Sequence, residues 1–146
     1  MTQAPGAEYG RQVDVGRPRV TVEELLEESR AGIERLDPEQ ARDAVTAGAV
    51  LVDIRSDGQR ASDGAIPGAT YVPRNVLEWR CDPASPHRDE SIASRGRRIV
   101  LICQQGCQSS LAAATLRRFG LDATDVIGGF EAWVGAGLPV EEQLDA

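Results

Sequence analysis

The run Arg98-Ile99-Val100-Leu101-Ile102 constrains the fold of this chain more than any other stretch. Its aliphatic residues do not alternate with polar ones, which is the pattern of a strand covered on both faces. The run passes directly into Cys103-Gln104-Gln105-Gly106-Cys107-Gln108-Ser109. Ser110 to Phe119 then reads as an Ala- and Leu-rich helix ended by Gly120. A second run of the same kind, Ala49-Val50-Leu51-Val52-Asp53-Ile54, follows an earlier helical stretch. Strands that alternate with helices build an α/β domain with a central, mainly parallel sheet and helices on both faces.

The remaining elements fit that plan. Residues 1–18 mix Gly, Pro, Gln and charge without periodicity and read as a flexible arm. Residues 19–36 form a helical extension. Thr21-Val22-Glu23-Glu24 has capping-box spacing, and Val22, Leu25, Leu26, Ser29 and Ile33 share a mostly apolar face that should pack on the rest. Residues 37–146 form the main domain. Asp37 caps its first helix, Pro38 starts it and Gly48 ends it. Arg55 to Gly68 reads as loop, Asn75 to Trp79 as a short helical turn and Asp82 to Gly96 as a surface loop. Asp125-Val126-Ile127 reads as a third strand, and Gly128-Gly129 turns the chain into a short helix that holds Phe130 and Trp133.

With 146 residues, 41% of them apolar, the chain fills one domain with one core. A formal charge of −7 argues against a nucleic-acid surface, which needs clustered Lys and Arg. No secretory signal or membrane span is visible, which points to a cytoplasmic protein with no membrane partner. Three cysteines suit free thiols in a reducing compartment better than a disulfide framework. One histidine and poorly spaced cysteines give no metal site, and no cofactor is expected.

The junction between the Ile102 strand and the next helix carries the chemistry. In parallel α/β sheets, sites form beyond the carboxyl ends of strands. A loop entering a helix there turns amide N–H groups inward, and the helix N-terminus adds partial positive charge. A thiolate at Cys103 gains from both. Gly106 lets amides approach, Ser109 offers a hydroxyl and a helix N-cap, and the three glutamines leave the loop to work through dipoles. Position alone favours a small buried hydrophobe at Cys103. The loop that follows it decides for chemistry.

Four stretches, in order, resemble the rhodanese-like family of sulfurtransferases. They are Leu51-Val52-Asp53-Ile54-Arg55, Gly64-Ala65-Ile66-Pro67-Gly68-Ala69, the Cys103–Ser109 loop, and Gly128-Gly129-Phe130-Glu131-Ala132-Trp133 with Ala136-Gly137-Leu138-Pro139-Val140. The resemblance spans about residues 35–141. It implies an enzyme whose Cys103 takes sulfane sulfur from a small-molecule donor, such as thiosulfate or a persulfide. Cys103 then yields it to cyanide, a thiol or a protein acceptor. Gln104, Gln105, Gly106, Cys107, Gln108 and Ser109 would hold the persulfide.

The sequence departs from the family at several points. Many relatives carry a cation where Gln108 stands, so Gln108 weakens the case for a dianionic donor. Ile102 replaces an aromatic residue before the cysteine. Gln59-Arg60 occupies the place of Glu-Phe, and Arg60 either supplies the pocket with a positive charge or lies solvated on the surface. Asp53 and Arg55 read as structural supports for neighbouring loops. Cys107 either resolves an oxidised or persulfidated Cys103 or is a rim residue. Two rivals use the same loop. A non-enzymatic sulfur carrier or persulfide-responsive module would need a protein partner. A cysteine-dependent phosphatase or arsenate reductase would need an arginine where Ser109 stands.

Overall fold

The computed structural model describes residues 18–94 and 96–142, so the arm read over residues 1–18 lies almost wholly outside the described residues. Four parallel strands form the centre: β1 (Val50–Asp53), β2 (Thr70–Tyr71), β3 (Ile99–Ile102) and β4 (Ala123–Asp125), in the order β2-β1-β3-β4. Around them lie α1 (Val22–Ala31), α2 (Pro38–Thr46), α3 (Asp57–Asp63), α4 (Leu77–Cys81), α5 (Gln108–Arg117) and α6 (Gly129–Gly135). A 3-10 turn, Arg74–Val76, leads into α4.

The central strands explain their own aliphatic runs, because every residue of β1 and β3 is buried. Alternate side chains feed two cores. Val50, Val52, Ile99 and Leu101 pack with Leu77, Cys81, Ala112, Ala113 and Leu116 from α4 and α5. Leu51, Val100 and Ile102 pack on the other face with Ala41 of α2 and Phe130 and Trp133 of α6. Burying residues of this size stabilises the fold by about 1.5–3 kcal/mol each relative to exposure. Trp133 is a core residue, and its indole N–H donates to the Pro139 carbonyl at 2.8 Å.

Helix starts follow the capping chemistry. The Thr21 hydroxyl accepts from Glu24 N at 3.0 Å, while the Glu24 carboxylate accepts from Thr21 N at 2.8 Å. Asp37 and Gln40 repeat the arrangement, with Pro38 in the first turn of α2.

Several expectations need correction. The stretch Arg55–Gly68 contains a helix, α3, started by a third capping box between Ser56 and Gln59. The third strand ends at Asp125 rather than beginning there, since only Ala123–Asp125 pairs with Ile99–Leu101. The Asp82–Gly96 stretch is not wholly on the surface, because Ser85, Ile92 and Ala93 are buried. The apolar face of α1 is partly open. This helix lies against α5, yet Val22 and Leu25 remain 57% and 41% exposed, because the contact is made on the side of Leu26, Ser29 and Arg30. The segment after α1 adds a short edge to the sheet, where Leu36 bridges Val126 in parallel beside β4. The Thr124 hydroxyl donates to the Glu34 carbonyl at 2.7 Å and stitches the same segment down.

Candidate active site

β3 delivers Cys103 to the carboxyl end of the sheet, where it is 4% exposed. Its sulfur accepts from the Gly106 N–H at 3.1 Å and from the Ser109 N–H at 3.3 Å. Both donors are backbone groups of the loop and of the first turn of α5, so the sulfur sits in a cradle of amide dipoles. The Ser109 hydroxyl stands 3.2 Å from the sulfur and donates to Asp125 Oδ2 at 2.7 Å. Ser109 therefore does not cap α5. Cys107 holds the N-cap position without a side-chain cap bond, and the Ser109 side chain is taken up by the sulfur and the carboxylate.

The loop takes its shape from a close approach to the start of α6. Gly106 has φ of +87°, and a Cβ there would stand 2.6 Å from Gly128 N. Gly129 has φ of +62°, and its Cβ would meet the Cys103 carbonyl oxygen at 2.4 Å. Only glycine fits either position. The gain is a set of bonds across the contact: Phe130 N donates to the Cys103 carbonyl at 2.8 Å and Glu131 N to the Gln104 carbonyl at 3.1 Å.

Sequence reasoning missed the carboxylate beneath the loop. Asp125 is fully buried at the end of β4 and accepts from the hydroxyls of Ser109 and Ser110 at 2.7 and 2.8 Å. Arg35 grips it with Nε and Nη2 at 2.8 and 3.1 Å. The usable signal was a charged residue beside apolar Val126 in a strand, which must be paired when buried. Its partner lies ninety positions away in sequence.

Asp53 and Arg55 form a buried pair. Arg55 Nε and Nη2 reach the two carboxylate oxygens at 3.0 and 2.9 Å, and Nη2 also donates to the Gly64 carbonyl at 2.8 Å. The Arg55 guanidinium stacks 3.7 Å over the Phe130 ring, which links the Gly64 turn to α6. Because Arg55 is fully buried, Asp53→Asn leaves its charge without a counter-ion. The expected loss is about 3–5 kcal/mol, read from the urea midpoint.

Arg60 is not a solvated surface residue. Its side chain is 14% exposed, lies 3.4 Å from Asp53 Oδ2 and stacks 3.8 Å over Tyr71. It is absent from the lining of the thiol pocket, a space of about 340 Å³ bounded by Gln59, Cys103, Gln104, Gln105, Cys107 and Gln108. None of these six residues is cationic. Acidic groups stand at the rim, where Gln104 Nε2 donates to Asp63 at 2.9 Å and the amides of Gln104 and Gln105 both reach Glu131 at 3.4 Å. Gln59 and Gln108 also line a neighbouring concavity of about 550 Å³ that includes Ser56, Asp57, Tyr71 and Arg74.

Cys107 is exposed at the pocket rim. Cys81 is fully buried between α4 and the core, and burial, with Asp89 and Glu78 adding to it, pushes its thiol up to about 12. Cys103 and Cys107 are the two thiols that line the pocket. Among the described residues, no group of three or more His, Cys, Asp or Glu side chains could hold a metal ion, and no helix is long and apolar enough to cross a membrane.

Residues 37–136 match the family model of the Rhodanese-like domain. The thiosulfate sulfurtransferase GlpE of Actinobacillus succinogenes is 34% identical over 109 residues, covering 73% of this chain and 88% of that protein. The chloroplastic thiosulfate sulfurtransferase 16 of Arabidopsis thaliana is 30% identical over 105 residues, covering 69% and 87%. Among solved structures, a Rhodopseudomonas palustris protein of unknown function, described as a possible tyrosine phosphatase, superposes with a TM-score of 0.78 at 32% identity. That match covers 90% of this chain and all of that one. A thiosulfate sulfurtransferase from Pseudomonas aeruginosa gives a TM-score of 0.60 at 28% identity, over 75% of this chain and 19% of that one.

Proposed function

The chain belongs to the rhodanese-like family and is a sulfurtransferase of that type, and we propose that it carries the transferred sulfur as a persulfide on Cys103. The observation that supports this reading is the pair of amide N–H groups on the Cys103 sulfur at 3.1 and 3.3 Å. Preorganised dipoles favour an anion at that point and cost no rearrangement when the charge forms. With thiosulfate as donor, the Cys103 thiolate attacks the outer sulfur. A new S–S bond forms, the S–S bond of thiosulfate breaks, and sulfite leaves with the electron pair. Cyanide then attacks the terminal sulfur of the persulfide, thiocyanate departs, and the thiolate is restored.

The favoured donor is the persulfide of a small thiol. A dianion gains little from a pocket whose lining is neutral and whose rim carries Asp63 and Glu131. A larger acceptor or donor reaches the thiol through the adjoining concavity, which meets the pocket at Gln59 and Gln108. Gln108→Arg supplies the missing cation and is expected to lower KM for thiosulfate about tenfold, the worth of one charge-assisted hydrogen bond. Steady-state thiocyanate formation measures it, and an unchanged KM would show that charge does not limit this donor.

The phosphatase reading lacks its cation. The place where a phosphatase loop needs arginine is Ser109, whose hydroxyl is committed to Asp125 at 2.7 Å. Hydrolysis of p-nitrophenyl phosphate is therefore expected at background level.

The deciding experiment is intact-protein mass spectrometry after brief treatment with glutathione persulfide or thiosulfate. A gain of one sulfur that cyanide reverses with release of thiocyanate supports the enzyme. Sulfur that loads but is released to no small acceptor supports a carrier that serves a protein partner. No gain from either donor overturns the persulfide reading.

A further inference from the structure

Two arginines that precede the family-matched region converge on the cysteine loop from outside it. The match begins at residue 37, whereas Arg30 lies in α1 and Arg35 in the segment that follows. Arg30 donates from Nε to the Ser110 hydroxyl and from Nη2 to the Gly106 carbonyl, both at 2.9 Å. Arg35 donates from Nη2 to the same carbonyl at 2.9 Å while gripping Asp125. The Ser110 hydroxyl in turn reaches Asp125 at 2.8 Å and lies 3.3 Å from the Gly106 carbonyl. One carbonyl oxygen of the loop is thus held by two guanidinium groups. Two charged donors fill both lone pairs of this oxygen and so fix the direction in which the carbonyl points.

The geometry points to a positioning role. We propose that Arg30 and Arg35 set the orientation of the Gly106–Cys107 peptide, so that its N–H faces the sulfur being transferred. A trans peptide is planar, and its N–H runs antiparallel to its carbonyl. Holding the Gly106 carbonyl against the arginines therefore turns the Cys107 N–H away from them. Cys107 lines the thiol pocket, and its amide has no hydrogen-bond acceptor among the described residues. It becomes a third donor, alongside the Gly106 and Ser109 amides that already hold the cysteine sulfur.

Charge acts in the same direction. Arg30, Arg35 and Asp125 together leave one net positive charge beneath a loop whose own residues 104–109 carry none. That charge lies behind the loop and leaves the lining of the pocket neutral. Arg30 is anchored by the packing of α1 on α5, and Arg35 by the Leu36 bridge to Val126 and the Thr124–Glu34 bond. The extension is a working part of the site as well as a cover for the sheet edge.

The proposal rests on Cys103 being the sulfur-carrying thiol, and the test separates the two. Arg35→Gln also strips the buried Asp125 of its ion pair and lowers stability, so Arg30→Gln, which leaves that pair intact, decides. In folded Arg30→Gln, persulfide loading from glutathione persulfide is expected to slow about tenfold or more, since small misplacements of catalytic groups are costly. The pH profile of Cys103 alkylation, resolved from Cys107 by peptide mass spectrometry, should move to higher pH. Arg30→Lys restores the charge but one of the two bonds, so the profile should return while loading recovers in part. A variant that melts lower yet loads at the wild-type rate with an unmoved profile would make Arg30 merely structural and overturn the proposal. Should the wild type take no sulfur from any donor, the sulfur-transfer reading fails by itself. The alkylation profile then still decides the positioning role.

Discussion

Cys103→Ser is expected to abolish sulfur loading, leaving no mass gain with glutathione persulfide or thiosulfate. The reason is nucleophilicity. A thiol ionises far more readily than a serine hydroxyl, and its thiolate is a much stronger nucleophile toward sulfur. The fold should survive, because a serine oxygen can accept from the same Gly106 and Ser109 amides that now meet the sulfur at 3.1 and 3.3 Å. The stability change should stay within about 1–2 kcal/mol, mainly the loss of a sulfur atom from a site that is 4% exposed. Urea unfolding checks that half of the prediction. A variant that still gains sulfur would move the carrier to Cys107, because Cys81 is buried with its thiol held up at about 12.

Gly129→Ala is expected to cost the most stability of any single methyl added near the site, about 2–5 kcal/mol. Two effects combine. Alanine at φ of +62° pays about 1–2 kcal/mol for the left-handed backbone. The new Cβ also overlaps three backbone atoms, at 2.4 Å from the Cys103 carbonyl oxygen, 2.7 Å from Gly106 N and 2.9 Å from the Gln104 carbonyl carbon. None of these is the end of a flexible side chain, so the loop and the start of α6 must part, at about 1–3 kcal/mol. The bonds from Phe130 N and Glu131 N weaken together. The urea midpoint should fall at constant m, and whatever protein remains folded should load sulfur slowly, because Gly106 has moved. A loss below about 1 kcal/mol would show that the loop is softer than its contacts indicate.

Much of this architecture was legible because its signals are local. The aliphatic runs of β1 and β3 state that both their faces are covered, and the Thr21 and Asp37 caps place the starts of α1 and α2. Cys103 could be singled out as a candidate because the glycine-containing loop after its strand is one of four ordered stretches that resemble the family. Helix α3 was obscured by Gly58 and the absence of an apolar stripe, although Ser56 and Gln59 spell a capping box. β2 is two residues long, too short for any period to register. The least legible parts are the long-range bonds. Arg30 reads as one more charge on an exposed helix until it is seen on the Gly106 carbonyl, seventy-six positions away. Asp125 reads as the head of a strand until β4 turns its carboxylate under Ser109 and Ser110. Arg60 was readable as either pocket or surface, and Asp53 and Tyr71 hold it in neither place.

The sulfur's two close donors are peptide groups, and that has an evolutionary consequence. No substitution short of proline deletes a peptide N–H, so the reactivity of Cys103 is sheltered from most mutations that the loop can suffer. The side chains of Gln104, Gln105, Cys107 and Gln108 line the pocket beside the thiol. Substrate preference and thiol reactivity are thus written on different atoms. With the persulfide on Cys103 as proposed, a chain built this way would change its sulfur donor by exchanging rim residues while the amides on the sulfur stay in place.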